Sequence, residues 1–247
     1  MAGGVTLTGI VLKVSPVGER DRHVLLLTKE RGKISAFARG ARRQDSPLLG
    51  ACQPFAYGNF QVYEGRNSYT IVRADILSYF EELRDDLTTI CYGQYFCELA
   101  NYFTRENLPA IEVMQLLYQS LRALTKKSLP PNLVRSICEL RMIALAGYAP
   151  QVFQCVSCGQ TGKINCFSVR AGGLLCPDCK KLDLKGREVS DTVLYAMRFI
   201  LQTPLAKLYT FVLSPEAQEE LADLMKDYYE RYVECEFQSL SLLDFQI

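Results

Sequence analysis

Two pairs of cysteines constrain the fold of this chain more than any other feature. Cys155 and Cys158 form one Cys-x-x-Cys pair, Cys176 and Cys179 form another, and 17 residues separate the two pairs. This spacing is typical of a zinc site with four thiolate ligands, in which each pair supplies two corners of a tetrahedron. We therefore predict one structural zinc ion per chain, held by these four cysteines, with no open position for hydrolytic chemistry.

Other uses of the cysteine pairs remain open at this point. A redox Cys-x-x-Cys pair normally begins a helix in a thioredoxin-like β-α-β unit, and no such pattern surrounds these residues. An iron-sulfur cluster also uses four cysteines, but nothing else in the sequence supports one. Cys166 lies between the two pairs. We interpret it as a buried thiol, with the role of substitute ligand as the alternative.

The segment Thr28–Arg43 combines a turn, a strand and a dense set of cations. A strand over Lys33–Arg39 would alternate, with small apolar residues on one face and Lys33, Phe37 and Arg39 on the other. An aromatic ring among cations on an open sheet suits single-stranded nucleic acid, because bases stack on the ring while the cations follow the phosphates. The alternative is that Phe37 belongs to the core and the cations are solvated strand ends.

The net charge of +1 conceals an uneven distribution of charge along the chain. Up to Asp75 there are 11 Lys and Arg against 6 Asp and Glu, a net charge of +5, which leaves −4 for the remainder. A polyanionic partner would therefore meet the N-terminal third first. Chance variation over a short segment is the alternative explanation.

Turn residues divide the first 75 or so residues into five short strands. We predict them at Val5–Val14, His23–Thr28, Lys33–Arg39, Phe55–Glu64 and Tyr69–Ala74. Five strands in a compact basic module indicate a Greek-key barrel of the OB type. On the fourth strand, alternation would place Tyr57 and Tyr63 on the face opposite to Phe60 and Val62.

Helical periodicity replaces the strand pattern from about Ile76 onward. Helices are predicted over Leu87–Phe103, from Pro109 to Lys127, over Pro131–Ala146, from Ser190 to Leu201, and from Ser214 to about Cys235. The predicted fold class is therefore α+β multidomain. An OB-fold nucleic-acid-binding domain would span residues 1–78, and a helical domain over residues 79–247 would contain a zinc-binding segment at residues 152–182.

Several function classes lack their sequence signals in this chain. No apolar run approaches the length of a membrane helix, and the N-terminus lacks the pattern of a signal peptide, so we expect a cytoplasmic protein. The sequence has no nucleotide-binding loop, no serine nucleophile elbow and no His-Glu-x-x-His motif. The single histidine, His23, lies in an apolar strand and is interpreted as structural. We expect no enzymatic activity and no catalytic residues.

Several stretches of the sequence resemble the RecO family of bacterial recombination mediators, essentially in order over the whole chain. They are Thr8-Gly9-Ile10-Val11-Leu12, Gly18-Glu19-Arg20-Asp21-Arg22, Leu26-Leu27-Thr28, Gly32-Lys33, Ala38-Arg39-Gly40-Ala41-Arg42-Arg43, Pro54-Phe55 and the two cysteine pairs. The resemblance implies an N-terminal OB-fold, a helical domain and a zinc-binding segment. By position it assigns phosphate contacts to Lys33, Arg39, Arg42 and Arg43 and metal binding to the four cysteines. Asp45-Ser46-Pro47 departs from the family, which often has another basic residue there.

The resemblance also implies a role in DNA repair and recombination. It implies a protein that binds single- and double-stranded DNA, anneals complementary strands and contacts single-strand-binding protein. It further implies action with RecR to place RecA on DNA, with RecF as an indirect partner, in association with the bacterial nucleoid. Two other functions compete with this one: an RNA-binding factor with an OB-fold and a zinc ribbon, and a metal-dependent nuclease.

Overall fold

The structure is a computed structural model that describes residues 4–66 and 68–244. Its N-terminal region consists of five β-strands. They are β1 (Val5–Val17), β2 (Asp21–Thr28), β3 (Gly32–Ala38), β4 (Tyr57–Glu64) and β5 (Tyr69–Ser78). β1 extends beyond the predicted end at Val14, because Ser15, Pro16 and Val17 continue to pair with β2. β5 also exceeds its predicted length, because residues up to Ser78 pair with β4.

The five strands close into a barrel in the order β1-β2-β3-β5-β4, with β4 pairing back onto β1. All neighbouring pairs are antiparallel except β3 and β5, which are parallel. A short helix, α1 (Leu48–Ala51), lies between β3 and β4 in the chain. The closed barrel confirms the predicted OB-like architecture of the N-terminal region.

Side-chain alternation along the strands separates the inside of the barrel from its outside. Ile34, Ala36, Phe60 and Val62 are buried in one hydrophobic cluster, as the alternating pattern predicts. Burying a side chain of the size of Phe60 or Val62 stabilises the fold by roughly 1.5 to 3 kcal/mol. The residues between them in sequence are therefore left on the outer surface.

The turn between β2 and β3 depends on the absence of a side chain at Gly32. Its φ is +62°, and a Cβ atom there would meet the carbonyl oxygen of Leu108 at 1.8 Å. The Thr28 hydroxyl donates a hydrogen bond to the Gly32 carbonyl oxygen at 2.8 Å. This turn sets the register in which β2 faces β3, so Gly32 controls which side chains lie opposite each other.

Two longer helices follow the barrel in the chain: α2 (Leu87–Phe103) and α3 (Ile111–Lys126). Helical structure begins later than the predicted position near Ile76. A 3-10 helix first spans Glu81–Asp85, and the Asp86 side chain then accepts a hydrogen bond from the Thr89 backbone at 3.0 Å, capping α2.

Residues 127–236 form a second compact unit, whereas residues 4–126 and 237–244 belong to the first. The second unit contains α4 (Pro131–Leu145), α5 (Asp191–Gln202) and α6 (Pro215–Tyr232), together with 3-10 turns at Lys180–Leu182 and Leu205–Lys207. Ser190 and Ser214 cap α5 and α6, as predicted. A three-stranded sheet in the order β7-β6-β8 comprises β6 (Cys166–Ser168), β7 (Gly173–Leu175) and β8 (Arg187–Glu188).

The last helix, α7 (Gln238–Asp244), returns to the first unit and contacts α2. The ring of Phe237, just before α7, packs edge-on against Tyr95 with centroids 5.2 Å apart. The Ser239 hydroxyl donates a hydrogen bond to Glu98 at 2.9 Å. Within the described ranges, none of the helices has both the length and the apolar character needed to cross a membrane.

Candidate nucleic-acid interface and metal site

The outer face of β3 carries the alternation predicted from the sequence. Ile34, Ala36 and Ala38 are buried, whereas Lys33 and Phe37 are only partly buried. The Phe37 ring lies against the edge of His23, with centroids 5.3 Å apart and planes at 65°. Phe37 is therefore a partly buried residue on the outer side of β3, in contact with a neighbouring ring.

Three arginines lie together in the loop that follows β3. The Gly40 backbone donates a hydrogen bond to the Asp21 carboxylate at 2.8 Å, which holds the loop against β2. Arg42 is exposed, and its guanidinium donates to the Gly18 carbonyl oxygen at 2.7 Å. Arg39 is also exposed and has no hydrogen bond or ion pair with any residue in the described part of the chain. The loop therefore presents concentrated positive charge to solvent.

Arg43 completes this loop and is paired with an acidic neighbour. Its guanidinium contacts both carboxylate oxygens of Asp45, at 3.1 and 2.8 Å. The two side chains are 56% and 70% exposed, so the pair contributes at most about 1 kcal/mol to stability. A phosphate group can displace Asp45 from Arg43 at a small cost in free energy. The Asp45 carboxylate also reduces the positive charge at the end of the loop.

Lys33 lies apart from the three arginines, at the other end of β3. Its ammonium group donates to the backbone oxygen and the side-chain oxygen of Asn101 in α2, at 2.8 and 3.0 Å. Burial lowers the pKa of Lys33, and the nearby carboxylate of Glu106 opposes that shift. Six steps along the extended chain lead from Lys33 to Arg39, a distance of about 20 Å. The structure thus brings Arg39, Arg42 and Arg43 together but directs Lys33 toward a helix.

The tyrosines of β4 are divided between two environments. Tyr57 packs against Tyr118 of α3, with ring centroids 4.7 Å apart. Tyr63 is 46% exposed and lies opposite Thr70 of β5, which in turn lies opposite Phe37 of β3. Strand alternation predicted that Tyr63 faces outward. Its position in line with Phe37 depends on the parallel pairing of β3 and β5, for which the sequence has no local signal.

The four cysteines of the two predicted pairs converge in the second unit. Their sulfur atoms all lie within 4.8 Å of one another, and those of Cys158 and Cys176 are 3.7 Å apart. A tetrahedral site with bonds of about 2.3 Å has sulfur atoms about 3.8 Å apart. The backbone amides of Gly159 and Cys179 donate to the carbonyl oxygens of Cys155 and Cys176, which forms the two turns. This group of cysteines can hold a metal ion.

The electrostatic surroundings of Cys155 also favour a thiolate donor. Burial raises its pKa, but backbone N–H groups of Cys158, Cys176 and Ser157 outweigh that effect and hold the pKa at about 6. The Cys176 amide lies 3.4 Å from the Cys155 sulfur. Such amide donors stabilise a negatively charged sulfur, which is the form that binds metal.

Cys166 does not belong to the group of four sulfur atoms. It lies in β6, buried, opposite Leu175 on one side and Glu188 on the other. Burial raises its pKa, so the thiol is favoured. The position agrees with its interpretation as a buried thiol.

Comparisons with known proteins cover nearly the whole chain. Residues 1–80 match the family model for the N-terminal part of recombination protein O, and residues 84–241 match the model for its C-terminal part. A DNA repair protein RecO from Desulforudis audaxviator is 34% identical over 237 residues, which is 95% of this chain and 94% of that protein. Those from Acetivibrio thermocellus and Bacillus subtilis are 31% and 30% identical, each over 96% of this chain and over 94% and 92% of their own lengths. The chain therefore belongs to the RecO family of DNA repair proteins.

Proposed function

We propose that this protein is a non-enzymatic mediator of DNA repair and recombination that binds DNA and anneals complementary single strands. The observation that carries the proposal is the partly buried Phe37 ring on the outer side of β3, two residues before the exposed Arg39 that begins the loop containing Arg42 and Arg43. Single-stranded nucleic acid requires both components, a ring for the bases and cations for the phosphates. Membership in the RecO family supports DNA as the nucleic acid.

Annealing by such a surface requires no nucleotide hydrolysis. Cations reduce the repulsion between two phosphate backbones, so two strands can remain near the same protein surface. Stacking contributes about 1 to 3 kcal/mol per base, which is weak enough for a base to leave the ring and pair with its complement. The surface would therefore raise the local concentration of strands without trapping their bases.

Membership in the family also suggests partners, and a separate function for each predicted domain. We propose that residues 1–78 bind DNA, and that the helical domain, residues 79–247, carries one structural zinc ion in segment 152–182. We further propose that the protein contacts single-strand-binding protein and acts with RecR to help place RecA on DNA, with RecF as an indirect partner. It would do so at the nucleoid, in the bacterial cytoplasm.

Salt dependence of DNA binding tests whether the arginine loop carries the phosphate contacts. A combined Arg39→Ala, Arg42→Ala and Arg43→Ala variant should weaken binding to both single-stranded and duplex DNA. Removing one phosphate interaction should reduce the slope of log affinity against log salt by about 0.7 to 0.9. Fluorescence anisotropy with labelled oligonucleotides at several salt concentrations measures this slope.

The matched control removes equal charge from the second unit. Lys163, Lys181 and Lys185 are exposed, and their combined change to alanine should leave the slope near that of the parent. A folded arginine variant with the parent's affinity and slope would contradict the assignment. An equal loss in the lysine control would show that the affinity does not reside in the barrel.

A further inference from the structure

We propose that three side chains, His23, Phe37 and Tyr63, form one row that holds unpaired bases along a path perpendicular to the strands. This inference rests on the proposed DNA-binding function and adds two residues to the surface. It assigns His23 to the ligand-binding face, in contrast to the structural role expected from its apolar strand. It also assigns a direction to the bound strand, from β2 across β3 and β5 to β4.

Strand register places these residues side by side. His23 lies opposite Phe37 in the β2–β3 pair, Phe37 lies opposite Thr70 in the β3–β5 pair, and Thr70 lies opposite Tyr63 in the β4–β5 pair. Most chain neighbours of these three residues and of Thr70 are buried inside the barrel: Val24, Ala36, Ala38, Tyr69, Ile71 and Val62. The three row residues and Thr70 between them therefore point to the outside of the barrel.

The dimensions of the row suit a short stretch of single strand. Neighbouring strands are about 4.8 Å apart, so the three steps from β2 to β4 cover about 14 Å along the curved outer surface of the closed barrel. A path of this length holds only a few nucleotides, at or below the smallest footprints of OB-folds, about four nucleotides. Thr70 has a small side chain, which leaves space between the rings of Phe37 and Tyr63, two strands apart, for a base to enter.

Local contacts hold His23 in the orientation that the row requires. Its Nε2 lies 2.7 Å from the Ser35 hydroxyl, and its ring contacts Phe37 edge to face. Nδ1 makes no hydrogen bond with any residue that the structure describes. A ring fixed in this way loses little conformational entropy when a base packs against it, and Nδ1 is available for a polar contact with the base.

The charges near the two ends of the row are compatible with a phosphate backbone. Arg39 lies two residues beyond Phe37, just after the end of β3, and is exposed. At the other end, Glu64 follows Tyr63, and its carboxylate is paired with Arg31 at 3.5 Å. The cation at Arg39 therefore attracts the strand, while the pairing of Glu64 reduces its repulsion.

Replacement of Tyr63 tests the row, because this side chain is exposed and outside the core. Tyr63→Ala should weaken binding of an oligothymidine by roughly 5- to 150-fold, since one base loses its stacking partner. Duplex binding should change much less, because paired bases do not stack on the protein. Tyr63→Phe should restore the affinity, and His23→Gln, which keeps a polar side chain but removes the aromatic ring, should reduce it.

Tyr79 supplies the matched control, because it is 38% exposed and lies outside the row. Tyr79→Ala should bind oligothymidine like the parent. An oligonucleotide of the same length with abasic sites should bind the parent less tightly than oligothymidine, and Tyr63→Ala should diminish this difference. Equal affinities of Tyr63→Ala and Tyr79→Ala for oligothymidine would overturn the row while leaving DNA binding intact. A parent protein that binds no DNA would instead overturn the proposed function itself.

Discussion

The barrel face and the cysteine segment build their sites in opposite ways. On the barrel, His23, Phe37 and Tyr63 come from three strands, and only the register of the backbone brings them into line. In the cysteine segment, four thiols from 25 consecutive residues, 155–179, surround one point. A surface of separate contacts should lose affinity in steps when residues are removed, whereas a closed metal site should fail when any one ligand is removed.

The largest effect is expected from removing a ligand of the cysteine group. Cys176→Ser should lose the metal and destabilise the second unit by on the order of several kcal/mol, because metal binding and local folding are coupled. Elemental analysis would measure the metal content, and thermal unfolding the stability. Cys235→Ser is the control, because Cys235 is exposed and lies outside the group of four. Parent protein without stoichiometric metal, or a Cys176→Ser variant as stable as the parent, would count against the zinc site.

The barrel should lose a comparable amount of stability only when a substitution disturbs its backbone register. Gly32→Ala would place a Cβ atom 1.8 Å from the Leu108 carbonyl oxygen, and should destabilise the first unit by about 2 to 4 kcal/mol. Gly18 also has a positive φ, +54°, but nothing lies within 4 Å of its Cβ position. Gly18→Ala should therefore cost only about 1 kcal/mol. Urea denaturation of the two variants measures the difference, and equal losses would refute the close approach at Gly32.

Replacing an aromatic side chain on the barrel face should have a smaller effect, and that effect should be limited to DNA binding. Phe37→Ala should weaken single-strand binding by about 1 to 3 kcal/mol and duplex binding less, because only unpaired bases stack on the ring. Phe153→Ala is a matched control, since Phe153 is a 39% exposed phenylalanine in the second unit. If Phe37→Ala instead lowered thermal stability and reduced both kinds of binding together, Phe37 would be a core residue and the stacking assignment would be wrong.

The contrast between the barrel face and the cysteine segment also explains how much of each site could be predicted from the sequence. The cysteine spacing predicted the group of four directly, because the turns that bring each pair together are local. Alternation predicted that Ile34 and Phe37 lie on opposite faces of β3, because it depends only on the strand period, and Ile34 is indeed buried while Phe37 is only partly so. The alignment of Tyr63 with Phe37 required the parallel pairing of β3 with β5 and the closure of the barrel, which are non-local.

Lys33 shows a second limit of prediction from sequence. Alternation correctly placed Lys33 on the same face of β3 as Phe37, but its contact with Asn101 joins residues 68 positions apart. The helix α7 and the strands β6 to β8 were also not predicted. These elements are only two to seven residues long, and tertiary contacts determine such short elements more than local propensity does.

Strand annealing tests the central claim most directly. Complementary strands coated with single-strand-binding protein should anneal faster when this protein is added, in the absence of ATP, and the rate should fall for the combined Arg39, Arg42 and Arg43 variant. Gel electrophoresis of labelled strands over time measures the rate. No acceleration by the parent protein, or acceleration only when ATP is hydrolysed, would contradict the account.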